Sequence, residues 1–186
     1  MHRMTKPWHW GFRLGGFPLV AALLLPSTGV RADDIVVPMA LATQAGFGAS
    51  VGTIVIGQST EGAIFTLRLK GLPPGPHGFH LHENGECGPT TMNGIAIPAG
   101  AAGRHWDPDQ TLKHAGPMGE GHLGDLPLLD IADDGTATQS LTAARIKEIA
   151  KLHGKAIVIH VHGDNYSDKP EALGGGGPRL ACGVIP

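Results

Sequence analysis

Cysteine is scarce in this chain, and so are charge and aromatic side chains. Only two of the 186 residues are cysteine, Cys87 and Cys182, and neither has a partner thiol nearby in sequence, which excludes a CxxC redox motif and a thiolate metal site. Charged residues make up 16% and aromatics 5%, so long solvated helices and a nucleic-acid-binding basic face are both poorly supported. No interior stretch approaches the roughly 18 apolar residues of a membrane span. Glycine, by contrast, is abundant at 29 residues, with 15 prolines, a composition that favours short strands joined by many turns. The length suits one domain with a real core and is short for two.

The first 32 residues read as a secretory signal peptide rather than as part of the fold. Arg3, Lys6 and Arg13 form a positive start, Phe17 to Leu25 is a short apolar run, and Val30-Arg31-Ala32 offers small residues at the −3 and −1 positions of a cleavage site. The expected mature domain therefore spans 33–186 and begins Asp33-Asp34-Ile35. Taking the four basic residues of the leader from the 14 in the chain leaves 10 against 16 acidic side chains, a net charge of −6 with histidine neutral. Such a protein draws in an anion through a local positive patch and not through its overall charge. In an oxidising compartment the even cysteine count reads as one disulfide, two buried free thiols being the alternative.

From Val36 onward the pattern is that of strands. Gly48 to Gln58 and Gly62 to Lys70 are β-rich runs flanking Ser59-Thr60-Glu61, and Ala63, Phe65, Leu67 and Leu69 alternate with more polar residues at period 2. Further strands are expected over His77 to His82, Asp125 to Ile131, Thr136 to Thr142, Lys155 to Val161 and Arg179 to Ile185. Only Ala143 to Leu152 suits a helical turn or two. The reading is an all-β fold of about eight antiparallel strands, closed or sandwiched, with two long loops, Glu83 to Gly124 and Gly163 to Pro178. Long ordered loops usually carry function. Gly174 to Gly177 lacks the lysine and the helix of a phosphate-binding loop and instead suits backbone passing close to another segment. The Asn165-Tyr166-Ser167 sequon is the kind of triplet that occurs by chance.

Six histidines and one aspartate fall on or beside these loops. His80 and His82 are two apart on an expected strand and so share a face. His114, His122 and Asp125 lie close together on one loop, His105 precedes them, and His160 ends a later strand. Neutral imidazole suits copper and zinc, and one carboxylate among imidazoles suits zinc. A redox metal beside a redox-silent one points to one ion turning over and the other holding structure and charge.

In order, GFHLHENGEC, GRHWDP, KHAGP, GHLGDLP, HVHGDN and RLACGV resemble the motifs of the copper/zinc superoxide dismutases, in particular their bacterial periplasmic branch, over essentially the whole mature chain. The resemblance implies an eight-stranded Greek-key β-barrel or sandwich holding one copper and one zinc per subunit. Copper would be bound by His80, His82, His105 and His160, and zinc by His105, His114, His122 and Asp125, with His105 as the shared bridge. It implies a Cys87–Cys182 disulfide, Arg179 beside the copper channel, and Asp164 linking a copper histidine, His82, to a zinc histidine, His114. It further implies superoxide as substrate: one superoxide reduces Cu(II) and leaves as oxygen, and a second takes up that electron and protons, one from His105, as hydrogen peroxide. Periplasmic location, no nucleic-acid partner and no membrane contact after signal cleavage follow, while the oligomeric state stays open between a single subunit and a homodimer. His77 is expected to be buried and to tie loops together, His153 to be exposed, and His162 to face solvent. Arg104 and His162 depart from the family pattern without removing a ligand. A competing reading is an exported copper- and zinc-binding module without catalysis; such relatives lack part of the ligand set, which here is complete.

Overall fold

Residues 33–186, with Met1 and Arg31, are described by a computed structural model of the chain. The expected signal peptide lies outside the described residues but for Met1 and Arg31. Eleven strands follow in order: β1 (Ile35–Thr43), β2 (Gly46–Gln58), β3 (Ala63–Leu69), β4 (Gly75–His77), β5 (Phe79–His82), β6 (Thr90–Met92), β7 (Ile95–Ile97), β8 (Leu129–Ile131), β9 (Ser140–Ala143), β10 (Ala156–His160) and β11 (Arg179–Val184). A seven-stranded antiparallel sheet has the order β5-β10-β11-β1-β2-β3-β9, while β4 pairs with β8 and β6 with β7. Counting β4 and β5 as one interrupted run, eight strands form the framework and β6–β7 is a small hairpin within the first long loop. A single 3-10 turn, Ile149–Leu152, stands where a helical turn was expected.

Three expectations change in detail, one of them being Thr136 to Thr142, of which only Ser140–Ala143 forms a strand while Ala137 makes an isolated bridge with Leu69. The run His77 to His82 was expected as one strand, yet it breaks at Gly78, because β4 pairs with β8 whereas β5 pairs with β10. Gly78 marks the crossover, donating to His162 O and accepting from His160 N. Asp125 to Ile131 was also expected as strand, but only Leu129–Ile131 forms one, because residues 122–125 are drawn against β5 as part of the histidine cluster.

Alternation along β5 and β10 decides where the histidines point. Phe79, Leu81, Ile157 and Ile159 face the main core with Phe65, Ile54 and Leu129, and Phe65 and Phe79 meet edge to face at 5.7 Å. His80, His82, Val158 and His160 therefore occupy the opposite face. There a second, small-residue cluster of Cys87, Ala99, Ala102, Ala156, Val158 and Cys182 seats the first loop against β10 and β11. The Cys87–Cys182 disulfide, 95 residues apart in sequence, staples the same contact. Closing a loop of that size is worth roughly 4–5 kcal/mol in a chain-entropy account.

Candidate metal centre

Three chain segments bring the ligand-type residues together. On β5, His80 pairs across the ladder with Val158 and His82 with Ala156. The other edge of β5 is covered by the first long loop through the bridges His82 with His105 and His80 with Asp125. The main-chain bonds Trp106 N to Leu81 O and Leu81 N to Gly124 O hold those bridges. Gly124 is required there, since a β-carbon would lie 2.4 Å from Leu81 O. His160 ends β10, and a register shift between Ile159 and His160 sets Arg179 opposite it in place of Leu180. Bulges of this kind re-aim a side chain beside a site.

The result is two overlapping buried groups. Ligand atoms of His80, His82, His105 and His160 lie within 4.8 Å of one another, and so do those of His80, His105, His114 and Asp125. His122, expected in the second group, stands at its border with Nδ1 3.3 Å from Asp125 Oδ1. His80 takes its place in that grouping, although Nε2 of His80 is already committed to Asp164 at 2.7 Å and only its Nδ1 is free. Asp125 Oδ1 also lies 3.0 Å from His105 Nδ1 and 3.1 Å from His114 Nδ1, so three imidazoles converge on one carboxylate oxygen.

Four nitrogens decide whether this cluster fits metal ions. His80 Nδ1, His82 Nε2, His114 Nδ1 and His160 Nε2 are buried without a hydrogen-bond partner among the described residues. An unpaired buried polar atom costs roughly 1–3 kcal/mol, and four of them converging in one place suit the lone-pair donors of a cation site. In three of the four rings the opposite nitrogen is anchored: His82 Nδ1 with Gly103 O at 3.0 Å, His160 Nδ1 with Gly177 O at 2.9 Å, and His114 Nε2 with Asp164 Oδ1 at 2.8 Å. The fourth, His80, is anchored by Asp164 as above. Such partners fix the tautomer and aim the free nitrogen. Copper and zinc both fit this donor set.

Asp164 thus joins His80 to His114, and not His82 to His114 as expected. Both histidines of the HxH pair share a face, but His82 turns Nδ1 to the first loop while His80 turns Nε2 to the second. The sequence carries no sign of that choice.

Burial and neighbouring charge divide the site electrostatically. Burial, reinforced by neighbouring imidazoles and by Arg179, pushes His82 and His160 well below the ordinary histidine range. Burial also lowers His80, against the pull of Asp164, and with the nearby His80 it brings His105 to about 4. For His114 burial opposes protonation, but the adjacent carboxylates of Asp125 and Asp164 outweigh it and raise the ring to about 9. Burial would raise both carboxyls, yet their histidine partners hold Asp125 and Asp164 far below the usual carboxylate range. One half of the centre therefore favours neutral ligands and the other favours a cation.

Arg179 is half-buried and donates from Nη1 to Ala99 O at 2.5 Å and from Nη2 to Gly103 O, the carbonyl that also holds His82. His77 is buried as expected, bound to His160 O at 2.7 Å and Pro73 O at 2.9 Å, and is not a member of either group. His153 and His162 are exposed. Not anticipated were Arg145, which donates to the carbonyls of Gly121 and His122, and Asp168, which accepts from His114 N. Neither carries a motif that would single it out.

A β-barrel bearing two overlapping imidazole groups, one of them with a carboxylate, defines a paired-metal centre. The chain belongs to the copper/zinc superoxide dismutase family, whose profile, described as copper/zinc superoxide dismutase (SODC), matches residues 50–185. It is 52% identical over 167 residues to superoxide dismutase [Cu-Zn] 2 of Salmonella typhimurium, covering 90% of this chain and 96% of that protein. It is 48% identical over 169 residues to superoxide dismutase [Cu-Zn] of Escherichia coli, covering 91% and 98%. Among solved structures, the Cu/Zn superoxide dismutase from Brucella abortus superposes with a TM-score of 0.81 at 47% identity, covering 83% of this chain and all of that one. The solution structure of the monomeric copper, zinc superoxide dismutase from Salmonella enterica superposes at 0.75 with 54% identity, covering 82% and 99%.

Proposed function

We propose that this protein is a superoxide dismutase, converting two superoxide anions and two protons to oxygen and hydrogen peroxide with copper and zinc as cofactors. The observation that carries the reading is the pair of ligand groups meeting at His80 and His105, with the unpaired nitrogens of His80, His82, His114 and His160 buried among them. His80 Nδ1, His82 Nε2, His160 Nε2 and His105 would hold copper. His105, His114 Nδ1, His122 and Asp125 would hold zinc. When bound, copper supplies one-electron redox chemistry and zinc supplies fixed charge without redox.

The chain's own residues do the rest. His105 lies with Nδ1 3.0 Å from Asp125, which leaves Nε2 for the copper-side group, and that nitrogen is the atom that accepts a proton and returns it to the reduced substrate. Arg179, pinned by two carbonyls, presents a fixed positive charge beside His82 and His160, where it orients the incoming anion. Pre-aimed charge of this kind needs no reorganisation during the reaction. The test is metal analysis and pulse radiolysis of purified, metal-loaded protein. Near-equimolar copper and zinc with rapid superoxide decay is expected; bound metal without dismutation would sink the reading and leave a binding module.

We also propose that residues 1–32 are removed on export to the periplasm, leaving 33–186 as the mature domain. Intact mass of exported protein should correspond to a chain starting at Asp33 with its two cysteines oxidised. A mass that retains Phe17 to Leu25 would refute it. A homodimer is to be checked by sedimentation of the mature protein.

A further inference from the structure

The second long loop grips the first at one residue from two directions. Asp164 binds the His114 ring at Nε2, 2.8 Å away, and four residues on, Asp168 Oδ2 accepts the His114 main-chain N–H at 2.9 Å. The other oxygen of Asp168 accepts from Leu173 N at 3.1 Å, so the carboxylate is oriented from within its own loop. Tyr166, between the two aspartates, completes the contact. Its hydroxyl accepts from Leu128 N at 2.7 Å, and its ring lies over Gly116, where a β-carbon would come within 2.7 Å.

We propose that Asp168 is a positioning residue for the zinc side of the centre: by fixing the His114 backbone while Asp164 fixes its ring, it holds His114 Nδ1 at the point where Asp125, His105 and His122 converge. The proposal rests on the assignment of His114 to zinc made above. Its logic is geometric. A ring tethered only at Nε2 can pivot with its main chain, and Nδ1 would move with it. With the amide and the far ring nitrogen both held by one loop, Nδ1 has nowhere to move. Partners behind a metal-binding histidine are typically worth 10- to 100-fold in metal affinity. Asp168 reaches the ligand through its amide instead of its ring, a route that motif inspection does not reveal.

The test compares Asp168→Asn with Glu171→Gln in the metal-loaded protein. Both remove one negative charge from the same exposed stretch, but only the first replaces a carboxylate oxygen by an amide group that cannot accept from both main-chain donors. Zinc release is followed with a chromogenic chelator, and the geometry of the zinc position by the visible spectrum of protein with cobalt(II) placed there. Expected are zinc release about tenfold faster and a shifted cobalt spectrum in Asp168→Asn, with Glu171→Gln close to the parent. Equal rates in Asp168→Asn and parent, or equal acceleration by both variants, would overturn the proposal while leaving the zinc assignment standing. Failure of the parent to bind zinc would overturn both. Should Asp168→Asn not fold, amide exchange in the parent decides. The His114 amide must exchange more slowly than that of Lys113, whose N–H among the described residues makes only a 3.4 Å approach to Thr111 Oγ1. Equal exchange there refutes the link.

Discussion

At the scale of single residues, the division of labour rests on which nitrogen each histidine leaves free. His160, with Nε2 unpaired, belongs only to the group proposed to hold copper. His160→Ala should therefore abolish dismutation and strip copper while zinc stays near stoichiometric, as read by elemental analysis beside the activity assay. Loss of zinc with retained copper would reverse the assignment. Protonation offers a second test, on protein freed of metal by chelation. His82, His105 and His160 titrate below the roughly 6.5 of an unfolded histidine, His105 at about 4. The unfolded chain then binds more protons than the folded one between those values. Stability contributed by these rings is complete above about pH 6.5 and is lost as pH falls toward 4. His114, raised to about 9, works in the opposite sense: its share is present below about 6.5 and lost as pH rises through 9. With His80 also lowered by burial, four rings outweigh one, so the urea midpoint of the metal-free protein should drop between about pH 7 and 4.5. A flat profile would contradict the buried-neutral description.

At the scale of elements, the glycine run 174–177 shows how loop backbone shapes the site. Gly174 has a φ of +74°, and a β-carbon there would lie 2.0 Å from Asp164 Oδ1 and 2.7 Å from His114 Nε2. Gly176 lies over the His160 ring less tightly, with a β-carbon at 3.2 Å. The loop is thus laid flat on the rings and shields the Asp164 bonds from water. Gly174→Ala combines a strained backbone with a clash, and dialysis against a zinc chelator should leave it with markedly less zinc than the parent. Full retention would mean that the loop tolerates displacement. The close passage of this run was legible in the sequence, as were the strands, because period-2 alternation reports directly on burial. The break at Gly78 was not, since both halves read as extended and only the choice of partner strand separates them. The β6–β7 hairpin did carry a signal, Asn93-Gly94, whose positive φ values of 51° and 78° suit a tight hairpin turn, but it was submerged in a loop rich in glycine and proline. The ring orientation that sends Asp164 to His80 depends on three-dimensional neighbours, and no spacing rule encodes it.

At the scale of the whole molecule, an acidic chain must capture an anion. The net charge of −6 expected for residues 33–186 repels superoxide at long range, so attraction depends on local charge near the centre. Arg179 lies there, with Lys113 and Lys169 on the two long loops as secondary sources. Exposed charges beyond about 10 Å are screened near 0.1 M salt. Because capture depends on the local positive field outweighing the net charge, salt weakens that attraction and the second-order rate should fall as ionic strength rises. Arg179→Ala should lower that rate and flatten its salt dependence while copper content is unchanged, since Arg179 is in neither ligand group. Pulse radiolysis across a salt series checks this, and an unaltered slope would transfer the steering to the lysines.

The position of the final strand has a consequence in time. β11, made of residues 179–184, does not lie at an edge of the sheet but between β10 and β1, and it carries both Cys182 and Arg179. Until residues 179–184 are in place, β1 and β10 have no common neighbour, the first loop has no sulfur to be stapled to, and the carbonyls of Ala99 and Gly103 have no guanidinium to hold. The amino-terminal half therefore cannot mature ahead of the carboxy-terminal half. β11 must be in place before the centre takes its final shape, and a chain cut short before Arg179 loses the strand between β10 and β1 and the guanidinium beside the histidines in the same stroke.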